Sequence, residues 1–261
     1  MRILILFLIV VNGLYCQISL DENFKNINGT IIIFNKEADS SIIFNNKRAS
    51  TRFSPFSTFK IPNSIIAIET SIIPNINQII TWDHQKYPEE DWWPKTWNDE
   101  HNLKSAFKYS VVPIYRHIAT MVGIEKMKSY IDAFNYGNKD ISSGIDNFWL
   151  DGSLKISAVE QIDFLKKFYN NQLSISSRTK NLVKTILVQE QTENYTISAK
   201  TGGGYIDQER KIALGWYVGF IEKAENVYFF ALNIEGRSFN EIMEPRKEIT
   251  YSIFKKLGII Q

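Results

Sequence analysis

Ser57-Thr58-Phe59-Lys60 sets a hydroxyl and an amine three positions apart. Serine is a weak nucleophile until a base removes its proton. On a helix, positions i and i+3 share a face, so Lys60 can reach Ser57. Backbone N–H groups in the first turn of such a helix favour negative charge and would stabilise an oxyanion formed there. The same spacing recurs at Ser105/Lys108, Ser177/Lys180 and Ser252/Lys255, and any one copy also reads as a solvated helix face. The first copy differs in its setting. Ser54-Pro55 marks a helix start, with Ser54 as N-cap and Pro55 at the first helical position. Phe56, Phe59 and Ile61 surround the pair, so Lys60 should be partly desolvated. To serve as a base near neutrality its pKa must fall by roughly 3 pH units, a cost of about 4 kcal/mol.

A second lysine stands in Lys200-Thr201-Gly202, which is expected to end a strand and run into Gly203-Gly204. K-T-G accompanies S-x-x-K in serine acyl-enzymes. The lysine brings positive charge, and the glycines would let a substrate backbone approach the strand edge. Ser110-Val111-Val112 offers another hydroxyl between the two lysines, though it also reads as a helical serine in an apolar run. Ser157-x-Val159 has the same form, but a capping role suffices for Ser157. Tyr136-Gly137-Asn138 reads as a tight turn after a helix, and Phe148-Trp149-Leu150 as core. A buried indole N–H needs an acceptor, so Trp149 could also donate to a buried anion.

These groups need a scaffold. Short Ile-rich runs at 30–34 and 41–44 read as a hairpin, and a helix runs from Ser54 through Ile68. Residues 74–101 are loop-like and hold four of the six tryptophans, and a loop that long is usually functional. Helices are expected at 102–122, 124–134, from the capping box at Ser157, at 175–190 and at 241–257. Strands are expected at 195–200, 214–221 and 227–234, joined too tightly for parallel crossovers. The fold class is therefore α/β in the α+β sense: a largely antiparallel sheet formed from both chain ends, flanked by helices, with an inserted all-helical region.

The 261 residues, 44% hydrophobic and 22% charged, exclude intrinsic disorder and allow a sizeable core. A net charge of +2 gives no reason to expect nucleic acid as a partner. One cysteine, Cys16, excludes an internal disulfide and a Cys-rich zinc site, and His84, His101 and His117 are too widely spaced for a metal helix, so no metal is expected. Arg2 followed by the apolar run 3–11 reads as a signal peptide ending near residue 16, shorter than a membrane span. The expected product is one exported, periplasmic domain over 17–261 with no stable membrane span. Lipid anchoring through Cys16 is a lesser alternative, because Tyr15 stands where lipoprotein processing wants a small residue.

In order and approximate spacing, Ser57-Thr58-Phe59-Lys60, Ser110-Val111-Val112, Tyr136-Gly137-Asn138, Phe148-Trp149-Leu150 and Lys200-Thr201-Gly202 resemble the class D serine β-lactamases, the oxacillinase type of the penicillin-binding, transpeptidase-like superfamily. The likeness extends to Lys108-Tyr109-Ser110-Val111-Val112-Pro113 and Gly215-Trp216-Tyr217-Val218-Gly219, and covers about residue 25 onwards. It implies that Ser57 forms an acyl-enzyme with small-molecule β-lactams and that Lys60, as an N-carboxylated lysine made with CO2 or bicarbonate, is the general base. No other cofactor is implied. Val112, Trp149 and Leu150 would cage the carbamate. Ser110 and Lys200 would relay a proton to the leaving nitrogen, and backbone N–H groups of Ser57 and Gly203 would hold the oxyanion. Thr201, Gly202 and an arginine would bind the substrate carboxylate. Arg246 matches best, with Arg237 as competitor. Gly203 replaces a bulkier residue and is expected to open the site, and segment 83–95 looks long for the family. The alternative is a penicillin-sensing or penicillin-binding domain that is acylated without turnover; such domains, and cell-wall D,D-peptidases, tend to carry Asn where Val112 stands.

Overall fold

The computed structural model describes residues 19–150 and 152–261. The expected signal segment and Cys16 lie outside the described residues. Among these, six strands form one antiparallel sheet in the order β2-β1-β6-β5-β4-β3. The strands are β1 (Gly29–Asn35), β2 (Ser40–Phe44), β3 (Val188–Gln191), β4 (Thr196–Tyr205), β5 (Ala213–Lys223) and β6 (Asn226–Gly236). The first strand lies beside the last, with Ile31 opposite Leu232, so both chain ends build the sheet as expected. β3 was not foreseen: its four residues continue directly from a helix and carry little β signal.

Both faces of the sheet are covered, which is why β1 is apolar at successive positions rather than alternate ones. Ile32 and Phe34 join a large core with α2 (Lys60–Glu69), α4 (Val112–Val122), α5 (Ile124–Phe134), α6 (Ala158–Tyr169) and α7 (Ser177–Leu187). Ile31 and Ile33 face a second core closed by α9 (Pro245–Lys256), through Ile253 and Phe254. Three short helices complete the chain: α1 (Asn46–Ala49), α3 (Leu103–Lys108) and α8 (Asn240–Met243). No helix among the described residues is long and apolar enough to cross a membrane.

Three local expectations fail, each for a physical reason. The helix after Pro55 does not begin with a Ser54 cap. A 3-10 turn, Phe56–Phe59, precedes α2, and Ser54 instead accepts a hydrogen bond from Lys155 Nζ at 2.6 Å. The helix expected over 102–122 is two helices, α3 and α4, meeting at a corner where Ser110 has φ +60°. Pro113 in the first turn of α4 fits a new helix start there, not a helix interior. Lys200-Thr201-Gly202 lies within β4 rather than at its end, and the strand continues through Tyr205. The capping box at Ser157 forms as expected, with Glu160 N–H donating to its hydroxyl.

Candidate active site

Ser57 sits in the 3-10 turn ahead of α2, and Lys60 is the first residue of that helix. Lys60 Nζ donates to Ser57 Oγ at 2.9 Å, while the lysine itself is fully buried. Among the described residues no carboxylate pairs with it. Burial alone therefore sets its charge and pulls its pKa from 10.5 down to about 7. That corresponds to about 5 kcal/mol against the ammonium form. A base at neutral pH, beside a half-buried hydroxyl, is the result. The other three S-x-x-K copies make no such pair. Ser105 is used in the capping box of α3 with Asn102. Lys180 donates to Asn171 Oδ1 at 2.8 Å, and Ser252 accepts from Asn23 at 3.0 Å.

Aromatic packing fixes the turn that carries Ser57. Phe59 stacks on Trp149 at 5.4 Å between ring centroids and meets Phe148 at 5.0 Å and Tyr136 at 5.8 Å. Phe56 N–H donates to the Trp149 carbonyl at 2.9 Å. The turn at Tyr136-Gly137-Asn138 is real: Gly137 has φ +56°, and Asn138 accepts from Lys155 N–H at 2.9 Å. Trp149 is fully buried, and its indole N–H has no partner among the described residues. An orphaned donor inside an apolar enclosure is costly unless an anion or carbonyl comes to it. Val112 and Leu150 are half-buried against the same core.

On the other side runs β4. Beyond Ser198 its outer edge has no strand partner among the described residues, and the serine turn packs there. Gly202 and Gly204 face that turn. A Cβ at Gly202 would stand 2.8 Å from the Pro55 carbonyl oxygen and 3.1 Å from Thr58 N, and one at Gly204 would enter the Phe56 ring. These glycines therefore admit the nucleophile's own turn, where sequence reasoning had them admit substrate. Lys200 is buried, donates to the Thr201 carbonyl at 2.9 Å, and lies 5.6 Å from the Phe107 ring. Burial, and then the neighbouring charges of Lys60 and Arg246, hold its pKa well below the ordinary lysine value. Phe107 belongs to α3, which runs into the α3–α4 corner that carries Ser110.

Gly203 faces the opposite way. Arg246, only 5% exposed, lies over it: a Cβ there would stand 3.2 Å from Arg246 Nη1, and one at Gly215 would stand 3.4 Å from Arg246 Cδ. The room left by Gly203 is thus taken by a guanidinium, which corrects the expectation of a more open site. Arg246 Nη1 donates to the Gly202 carbonyl at 2.7 Å, and Nη2 to Met243 Sδ at 3.2 Å. Burial lowers its pKa to about 10, so it remains cationic at neutral pH. Arg237 is a surface residue paired with Glu241, its side chain 89% exposed. Only Arg246 is brought to the β4 edge.

Sequence reasoning missed a buried polar cluster behind Lys60. Asn63 and Ser64, one turn on along the same face of α2, meet Tyr115 of α4. Asn63 Nδ2 donates to the Tyr115 carbonyl at 3.2 Å, and the Ser64 and Tyr115 hydroxyls are 2.9 Å apart. Lys60 Nζ is 5.1 Å from the Tyr115 ring centroid. The available signal was two polar residues spaced i+3 and i+4 from Lys60 among isoleucines. The long Trp-rich segment braces the cleft from outside. Trp97 Nε1 donates to the Tyr109 carbonyl at 2.9 Å, directly before Ser110. No group of three or more His, Cys, Asp or Glu placed to hold a metal occurs among the described residues.

Comparison with known proteins agrees with this architecture. The family described as "Penicillin binding protein transpeptidase domain" matches residues 22–257. Beta-lactamase OXA-48 of Klebsiella pneumoniae is 40% identical over 232 residues, covering 89% of this chain and 84% of the relative. Beta-lactamase OXA-10 of Pseudomonas aeruginosa is 40% identical over 235 residues, covering 90% and 86%. The crystal structure of FUS-1 (OXA-85), a class D β-lactamase from Fusobacterium nucleatum subsp. polymorphum, superposes with a TM-score of 0.85 at 33% identity, covering 93% of this chain and 98% of that one. With Ser57 and Lys60 joined at one end of α2, the glycine-rich strand against their turn, and this degree of likeness over most of its length, the chain belongs to the class D serine β-lactamases, within the penicillin-binding protein transpeptidase-domain family.

Proposed function

We propose that this chain hydrolyses the β-lactam amide through an acyl-enzyme on Ser57. The observation that carries the reading is the 2.9 Å contact between Ser57 Oγ and a fully buried Lys60 whose pKa is lowered to about 7. Ser57 Oγ attacks the lactam carbonyl carbon while Lys60 Nζ takes its proton. Backbone N–H groups of Ser57 and Gly203 receive the oxyanion. The C–N bond breaks, and the proton held on Lys60 passes by way of Ser110 to the ring nitrogen, with Lys200 assisting, which leaves Lys60 a free base again. Lys60 then removes a proton from water, which attacks the ester and frees Ser57. Thr201 and Arg246 hold the substrate carboxylate along the Gly202 edge, a contact suited to a guanidinium.

The residues around Lys60 fit an N-carboxylated lysine. Its neutral amine can take up CO2, Val112 and Leu150 supply apolar walls, and the unpartnered Trp149 indole N–H is available as donor. When bound, the carboxyl group supplies a carboxylate oxygen as general base in place of the amine. The apolar run at 3–11 supports an exported hydrolase.

The test is turnover of excess chromogenic cephalosporin by the wild-type protein and by Ser57→Ala, at several pH values with and without bicarbonate. Continuous turnover that the variant lacks is expected, with bicarbonate restoring activity lost at low pH. One equivalent of product followed by a stall would replace hydrolysis with a penicillin-binding role. No response to bicarbonate at any pH would remove the carboxylated lysine from the reading.

A further inference from the structure

Met243 is the last residue of α8 and 42% exposed, yet its sulfur accepts from Arg246 Nη2 at 3.2 Å. Its place is fixed by the residue before it. Ile242 is fully buried in a recess floored by Gly203, Gly215 and Gly236, where a Cβ at Gly215 would stand 2.9 Å from Ile242 Cβ. Arg246 in turn is anchored by Nη1 on the Gly202 carbonyl, and its buried Nε has no partner among the described residues. The guanidinium therefore has a weak acceptor, a thioether, on one nitrogen and unfilled donor capacity beside it. Of the methionines among the described residues, Met127 is buried, and Met121 is 40% exposed on α4.

We infer that Met243 is an oxidation site whose modification weakens the grip of Arg246 on the substrate carboxylate. The inference rests on the proposed role of Arg246. A peroxide oxidises the thioether: the sulfur donates an electron pair to one peroxide oxygen, the O–O bond breaks, an S=O bond forms and water leaves. The sulfoxide oxygen is a strong acceptor where the thioether was a poor one. Attached to a sulfur already on Nη2, it competes with the incoming carboxylate for the same guanidinium. The lesion is reversible by methionine sulfoxide reductases, so the effect should reverse as well. Met121 lies on another element, and among the described residues no guanidinium donates to its sulfur, which makes it an internal control.

The experiment treats the purified full chain with hydrogen peroxide, follows oxygen addition at Met243 and Met121 by peptide mass, and measures KM and kcat for a carboxylate-bearing penicillin. Oxidation of Met243 should raise KM about tenfold while kcat changes by less than about twofold. Methionine sulfoxide reductase should restore the starting KM. Met243→Leu, close to methionine in volume, is compared with itself before and after peroxide, and its KM should hold although Met121 still gains oxygen. Arg246→Ala separates the two layers. If it leaves KM unchanged, the carboxylate grip fails and the inference falls with it. If it raises KM but the Met243 sulfoxide does not, the grip stands and the inference is overturned. The inference is also overturned if Met121 oxidises while Met243 resists, or if Met243→Leu loses KM to the same degree as wild type.

Discussion

Lys60 shows how one buried side chain links stability to chemistry. Its folded pKa, about 7, lies below the ordinary 10.5 because burial penalises the ammonium. Between these values the unfolded chain holds a proton that the folded chain does not. Stability therefore rises with pH across this window, and the penalty is fully present below about pH 7. Lys60→Met in CO2-free buffer is expected to abolish turnover yet raise stability at pH 7 by about 4 kcal/mol, and to flatten the rise between pH 7 and 10. Denaturant titration at several pH values measures this. In the wild type without bicarbonate, kcat/KM should fall about tenfold per unit below pH 7 as the base is protonated. A variant no more stable than wild type would mean that burial is not what depresses Lys60. At this scale much was legible. The i, i+3 spacing and the aromatic flanks identified Ser57 and Lys60 among four equivalent motifs. The family resemblance already preferred Arg246 to Arg237, but the physical reason was not legible, because it depends on Gly203 and Gly215, which meet Arg246 only in the folded sheet.

The elements matter through the two faces of β4. Gly202 and Gly204 accept the serine turn, and Gly203 accepts Arg246. Substituting them should separate kinetic effects. Gly204→Ala drives a methyl into Phe56 and displaces Ser57. It should lower kcat by tenfold or more and cost about 1–3 kcal/mol of stability. Gly203→Ala presses on the flexible end of Arg246 and should raise KM several-fold, with kcat little changed. Steady-state kinetics on both variants checks the split, and equal effects on kcat would remove it. The same glycines explain why β4 was read too short. Glycine is poor strand material by propensity, and only packing against Pro55, Thr58 and Phe56 accounts for it here. The corner at Ser110 was hidden for a related reason. A non-glycine residue at φ +60° costs about 1–2 kcal/mol, and the packing that holds it there is tertiary.

For the whole molecule, the sheet separates two cores that share strands β1, β5 and β6. Ile31 points into the core under α9, whereas Trp149 and Trp216 belong to the helical core on the other face. If the two cores unfold together, damage to one must be felt in the other. Ile31→Ala should cost about 2–4 kcal/mol. Its tryptophan fluorescence and far-ultraviolet dichroism midpoints should fall by the same amount. Separate midpoints would show that the cores melt independently. The two-ended sheet was readable from the order of apolar runs, since strands bounded a helical block. The allocation of residues to its two faces was not, because β1 is apolar at every position from Ile31 to Phe34 and carries no alternation to read.

The pairing of the first strand with the last also fixes the order in which the protein can come into being. Asn28 and Glu235, 207 positions apart, are hydrogen-bonded neighbours. A ribosome releases Ser57 and Lys60 well before the strand bearing Gly202 and Gly204, and that strand before Arg246. Until then β1, with Ile31, Ile32 and Ile33, has no β6 to lie against. Such long-range closure makes folding slow and leaves nascent chains prone to sticking to one another. A chain halted before β4 would hold its nucleophile and base in sequence without the strand that walls them in.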